Sequence, residues 1–155
     1  MKNIIVHIQK NCQKTQSIPN KLYFQKWIKK VLYKKKNTYI ITIRIVDEKE
    51  MSNLNFTYRQ CNFPTNILSF QYNQVIKKNH ILLGDLILCK NVIEQEAIKY
   101  KKNIYSRWAH MIIHGTLHLL GYDHKEKNEK LQMESIENKI MLYFNYPLPY
   151  VLNNN

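Results

Sequence analysis

Four histidines fall in one stretch, His110-Met111-Ile112-Ile113-His114-Gly115-Thr116-Leu117-His118-Leu119-Leu120-Gly121-Tyr122-Asp123-His124. His114 and His118 are four apart, so on a helix they share one face with about 6 Å between their Cβ atoms. That separation lets two imidazoles meet one ion with metal–nitrogen bonds of about 2.0–2.1 Å. Gly121 follows as a helix-ending residue that reverses the chain, and His124 then returns as a third ligand. An isolated pair of histidines at this spacing is more often two satisfied surface or core residues. The turn and the third imidazole, falling where chelation needs them, make this a metal site. Three protein nitrogens with one position open is the arrangement of a catalytic site rather than a closed structural one. Zinc suits three imidazoles, although nickel and copper accept them too.

His110 competes for the ion, being one turn before His114. It lies eight residues from His118, about 12 Å along a helix axis, too far for both to hold one tetrahedral ion. It is therefore expected behind the ligands or in the core. Asp123 either orients a ligand imidazole from behind or serves as a turn residue capping the next helix. The spacing is that of metzincin zinc proteases, whose HExxH motif puts a Glu base directly after the first His. Here that position is Gly115, so a peptidase of that kind lacks its general base.

The elements that must position these residues are legible from periodicity. Residues 3–9 alternate and are β-branched, as a strand requires. From about Lys21 to Lys35, a helical stripe collects Leu22, Trp27, Ile28, Val31 and Leu32, with Lys on the other face. Thr38–Val46 is a strong strand, and Asp47 caps a helix reaching about Tyr58. Thr65–Tyr72 and Ile81–Cys89 read as strands joined by a polar turn over 73–79. Helices follow from Asn91 to about Lys101, from Tyr105 to Leu120 and from about Lys125 to Phe144, before an extended end at Tyr146–Tyr150. Strands interspersed with helices, then helices only, argue for a single α+β domain over 1–155: a mixed sheet of about four strands covered by helices.

The 155 residues, 45% hydrophobic with 3 Gly and 4 Pro, suit one globular domain. No apolar run is long enough for a membrane span or signal peptide, and three scattered cysteines suit reduced thiols in the cytoplasm. A formal charge of +13 favours anionic partners, nucleic acid first. The chain also has 21 Lys against 3 Arg, with 18 Asn and 20 Ile, the pattern an AT-rich coding sequence imposes. Charge alone therefore does not separate nucleic-acid binding from a solvated Lys surface. His7 and His80 have no metal partner in sequence, and Asp85 reads as a buried hydrogen-bonding residue.

The run from His114 to His124 resembles the signature HGxLHLxGYDH of the YbeY family, bacterial endoribonucleases that mature ribosomal RNA. Leu54-Asn55 with Tyr58-Arg59, Pro64–Phe70, Leu83–Cys89, Trp108-Ala109-His110 and Met133–Glu137 are similar to further elements of that family, in the same order. The ordered matches span about 46–150. The resemblance implies an α+β hydrolase fold with a metzincin-like three-histidine site holding one Zn2+. It implies cleavage of single-stranded RNA, with ribosomal RNA precursor and the small ribosomal subunit as partners, in 3′-end maturation and ribosome quality control. No DNA and no membrane are expected.

Arg59 corresponds to the arginine given an active-site role in that family, and a guanidinium holds a phosphate bidentately; the alternative is a surface ion pair. Members often carry a basic and an acidic residue just after that arginine, whereas this chain reads Gln60-Cys61-Asn62-Phe63. Lys34, Lys35 and Lys36 are candidates to guide a strand. Two other functions compete: a ribosome-assembly factor with a mainly structural metal, and a metal-dependent hydrolase of peptides or small molecules.

Overall fold

Thr38–Val46 buries Tyr39, Ile41, Ile43 and Ile45 on one face, while Arg44 on the other reaches Glu50 at 2.7 Å. Such a strand belongs inside a sheet covered on both sides. The computed structural model describes residues 4–150; Asn3, read as part of the first strand, lies outside them. Strands β1 (Ile4–Asn11), β2 (Thr38–Val46), β3 (Ile67–Lys77) and β4 (His80–Cys89) form one mixed sheet in the order β1-β2-β4-β3. The β1–β2 and β2–β4 pairs are parallel, and β3 runs antiparallel to β4. The helices are α1 (Lys21–Val31), α2 (Glu48–Arg59), α3 (Lys90–Lys99), α4 (Ile104–Leu119) and α5 (Lys127–Tyr143). The fold is the α+β arrangement expected, with four strands in the sheet.

Three of the five helix starts follow side-chain caps. Asn20, Asp47 and Asn103 each accept a backbone N–H from the first turn of α1, α2 and α4. On one face of the sheet, α1, α4 and α5 bury Trp27, Trp108, Ile112, Leu117 and Met141 against Ile41, Ile43 and Leu86. On the other, Met51 of α2 packs on Leu68 and Ile87. Burying each such side chain stabilises by about 1.5–3 kcal/mol.

Helix α4 is held so close to the sheet at Gly115 that any larger residue there would have to displace neighbouring side chains. A Cβ there would stand 2.6 Å from Ile67 Cδ1 and 2.8 Å from Leu86 Cδ2.

Three expectations are corrected. The turn between β3 and β4 is Lys78-Asn79, with Asn79 at φ 62°, and not the whole of 73–79. Residues 73–77, Val75 and Ile76 included, project from the body as an exposed hairpin, still paired through backbone after a bulge between Gln71 and Gln74. Helix α1 ends at Val31, not near Lys35, and Leu22 is 71% exposed. Its buried stripe is set by Phe24, Trp27 and Ile28, and Leu22 lies two residues before Phe24, about 200° around the axis. Asp85 is half-buried rather than buried, and accepts the Tyr72 hydroxyl at 2.9 Å. Cys12, Cys61 and Cys89 are free thiols. Among the described residues no helix is long and apolar enough to cross a membrane.

Candidate metal centre

His114 and His118 project from the last two turns of α4, one turn apart on the same face. The helix ends at Leu120, and Gly121 takes φ 98°, a backbone state that glycine adopts without strain. The backbone N–H of Gly121 returns to His118 and that of Tyr122 to Leu117, closing the turn that brings His124 back. One ligand atom from each of His114, His118 and His124 lies within 4.8 Å of the others. The Nε2 atoms of His114 and His118 are 3.1 Å apart, close to the tetrahedral edge of about 3.3 Å that metal–nitrogen bonds of about 2.0–2.1 Å define.

The orientation of His114 is imposed from behind. Glu137, fully buried on α5, has Oε1 2.9 Å from His114 Nδ1 and Oε2 2.6 Å from His110 Nε2. An ionised carboxylate only accepts, so both ring nitrogens must donate to it. His114 is thereby left with its Nε2 lone pair facing the site, the form a metal needs. Burial alone would raise the Glu137 carboxyl, but the bonds from His110 and His114 outweigh it and hold it down to about 2. His110 is buried, and Arg107 Nη1 approaches its Nδ1 at 3.3 Å. Burial pushes the His110 imidazole below its usual value, in keeping with a neutral ring that accepts from Arg107 and donates to Glu137. His110, His114 and Glu137 also form a close trio, but the 2.6 Å contact is a hydrogen bond and leaves no room for an ion. Tyr150 adds its hydroxyl to Glu137, and its ring lies 5.4 Å from that of His110.

His118 is pushed down to about 4, first by burial and then by the neighbouring His114 and His124. A site that disfavours imidazolium keeps the ring a free-base ligand. The donor set of three imidazoles, with one edge already at ligand spacing, fits a borderline-soft divalent ion.

The three histidines open into a cleft of about 570 Å³ lined also by Arg59, Asp123 and Lys125 and by Ser69 and Gln71 of β3. Arg59 ends α2 and is exposed, and among the described residues it forms no ion pair. Buried Asn55 ties the loop after Arg59 to α2 through a 2.9 Å bond to the Phe63 carbonyl. Asp123 accepts the His124 backbone N–H at 2.7 Å and stands 4.0 Å from His124 Nδ1. It caps the turn rather than holding the ring, and α5 begins at Lys127 without any side-chain cap. His7 is exposed, and His80 Nδ1 lies 2.9 Å from the Lys78 carbonyl, both away from the cleft.

Sequence reasoning did not single out Glu137 or Lys125. The signal for Glu137 was present: with Met133, Ile140 and Met141 it falls on the buried stripe of α5, where a carboxylate needs partners.

Comparison with known proteins decides the family. The model of the family "Endoribonuclease YbeY" matches residues 7–145. The chain belongs to the YbeY family. The YbeY match takes in every residue lining the histidine cleft. Endoribonuclease YbeY of Buchnera aphidicola subsp. Schizaphis graminum is 65% identical over 150 residues, covering 97% of this chain and 95% of that protein. That of Buchnera aphidicola subsp. Acyrthosiphon pisum is 62% identical over 152 residues, 98% of each. A solution structure from Thermotoga maritima superposes with a TM-score of 0.59 at 18% identity over 97% of this chain and 99% of that one, a likeness of fold.

Proposed function

We propose that this chain is a zinc-dependent endoribonuclease of the cytoplasm that cleaves single-stranded RNA. Its substrate on this reading is the precursor of small-subunit ribosomal RNA, met in association with that subunit during 3′-end maturation and quality control. The observation that carries the reading is the cleft itself, where three imidazoles and a guanidinium without an ion-pair partner among the described residues face one space. Family membership supplies the endoribonuclease class.

His114, His118 and His124 are the proposed ligands of one ion. When bound, a zinc ion supplies a water of lowered pKa and polarises a phosphoryl oxygen. Arg59 holds a non-bridging phosphate oxygen pair through its planar fork and offsets charge developing at phosphorus. Lys125 adds a cation at the rim. Glu137 keeps the proton on His114 Nδ1, His110 steadies Glu137 from the far side, and Asp123 fixes the turn that carries His124. A metzincin-type peptidase is disfavoured because position 115, where its general base would stand, is a glycine buried against Ile67 and Leu86. An ion with only a structural role is disfavoured by the open side of the cluster toward the cleft.

The deciding test is cleavage of an unstructured RNA by the purified protein beside His114→Ala prepared identically, with bound zinc assayed in both. Cleavage and zinc lost together in the variant support the reading. Equal cleavage, or none by the zinc-loaded protein, overturns it.

A further inference from the structure

We propose that the hollow on the far side of Tyr122 from the histidine cleft is a docking surface for the single-stranded RNA flanking the cleaved phosphate. The inference rests on the endoribonuclease reading above, and names where the rest of that substrate lies. Tyr122 lines both the histidine cleft and this second hollow of about 490 Å³. Leu117 and Leu120, beside His118 in sequence, contribute to its floor. A strand leaving the metal ligands therefore passes one aromatic ring to enter it.

The charge is one-sided. Lys30, Lys34, Lys35 and Lys139 line the hollow and no carboxylate does. The adjoining hollow of about 660 Å³ adds Lys26 and Lys29, again without an acid. Six of the fifteen residues lining the two hollows are Lys, against 21 in the 155 of the chain, so the cations gather here beyond what a Lys-rich composition supplies. Lys36, the third member of the run, lines neither.

Aromatic rings interleave with these cations. Lys30 Nζ sits 3.7 Å from the Tyr143 ring centroid and 4.6 Å from that of Tyr33. The two rings remain 62% and 48% exposed. Lysines along a path with exposed rings between them are the chemistry that binds a single strand: ammonium groups meet successive phosphates, and rings stack on bases that no partner strand covers. A duplex offers this surface only its phosphates.

The test is fluorescence anisotropy with a labelled, unstructured RNA of twelve nucleotides and a duplex of the same length. It compares wild type, the triple variant K34Q/K35Q/K139Q, and Tyr143→Ala, with melting curves to verify folding. These side chains are exposed, so the variants keep the fold. The triple variant is expected to bind the single strand at least tenfold more weakly. Its plot of log affinity against log salt should flatten by about 2, since each phosphate contact contributes about 0.7 on a single strand. Tyr143→Ala is expected to lose about tenfold on the single strand, with the salt slope and duplex binding unchanged. RNA cleaved by wild type and bound undiminished by the triple variant overturns the docking surface and leaves the nuclease reading standing. Equal loss on strand and duplex in Tyr143→Ala overturns the stacking. No RNA binding by wild type overturns both readings together.

Discussion

Glu137 Oε1 lies 2.9 Å from His114 Nδ1, so a residue of the last helix decides which nitrogen of a proposed ligand carries the proton. Glu137→Gln replaces an obligate acceptor with an amide that both donates and accepts, and the tautomer of His114 is no longer fixed. Zinc affinity should fall by about 10–100-fold, read by competition with a chromophoric chelator. Zinc affinity unchanged in this variant removes Glu137 from that role.

Gly115→Ala tests the packing of α4 on the sheet. Helix propensity alone would favour alanine by about 1 kcal/mol, whereas overpacking a filled core costs about 1–3 kcal/mol. With Ile67 and Leu86 side chains at 2.6 and 2.8 Å from the added carbon, net destabilisation of the order of 1 kcal/mol is expected in urea titration. A more stable variant would contradict the close approach described here.

Arg59→Gln should leave the melting temperature where it is, because the side chain is exposed and forms no ion pair among the described residues. RNA cleavage should fall by about 100-fold, the usual effect of removing one charge-stabilising donor. Arg59→Lys should recover part of it, since the charge returns without the fork. Steady-state kinetics beside thermal melts separate the two effects.

The metal-free protein should lose stability steadily as pH drops below neutrality. His118 takes a proton near 6.5 when unfolded but only at about 4 when folded, so the unfolded state binds more protons in between and gains on acidification. Glu137 works in the same direction lower down: held to about 2 against 4.5, its contribution is present above 4.5 and is lost as pH falls from there toward 2. Melting temperatures of chelator-treated protein from pH 7.5 to 4.5 should decline, and His118→Asn should flatten the upper part of that decline. A flat wild-type profile would oppose this account.

The elements and the convergence of three imidazoles were legible because they depend on local rules: strand alternation, the four-residue spacing on a helix, and a glycine turn after it. Asp47 as a cap is equally local, one side chain meeting the backbone three residues on. What stayed hidden depends on elements distant in the chain. Glu137 gains its partners only when α5 crosses α4, and Leu22 falls outside the core because Phe24 and Trp27 set the phase of α1. Residues 73–77 extend a hairpin through backbone pairing, which the polar residues flanking Val75 and Ile76 do not report.

The glycine contact that seats α4 on the sheet also divides the labour within the histidine trio. His114 and His118 ride on a helix whose flank is wedged into the core, whereas His124 hangs from an exposed turn beyond Gly121. An ion held there would have a stiff two-toothed clasp and one hinged arm. Its residence time would then be set by how often the arm swings, not by how firmly the protein is folded. Substitutions in the turn, at Asp123 above all, would alter the rate of metal exchange while the clasp kept its grip.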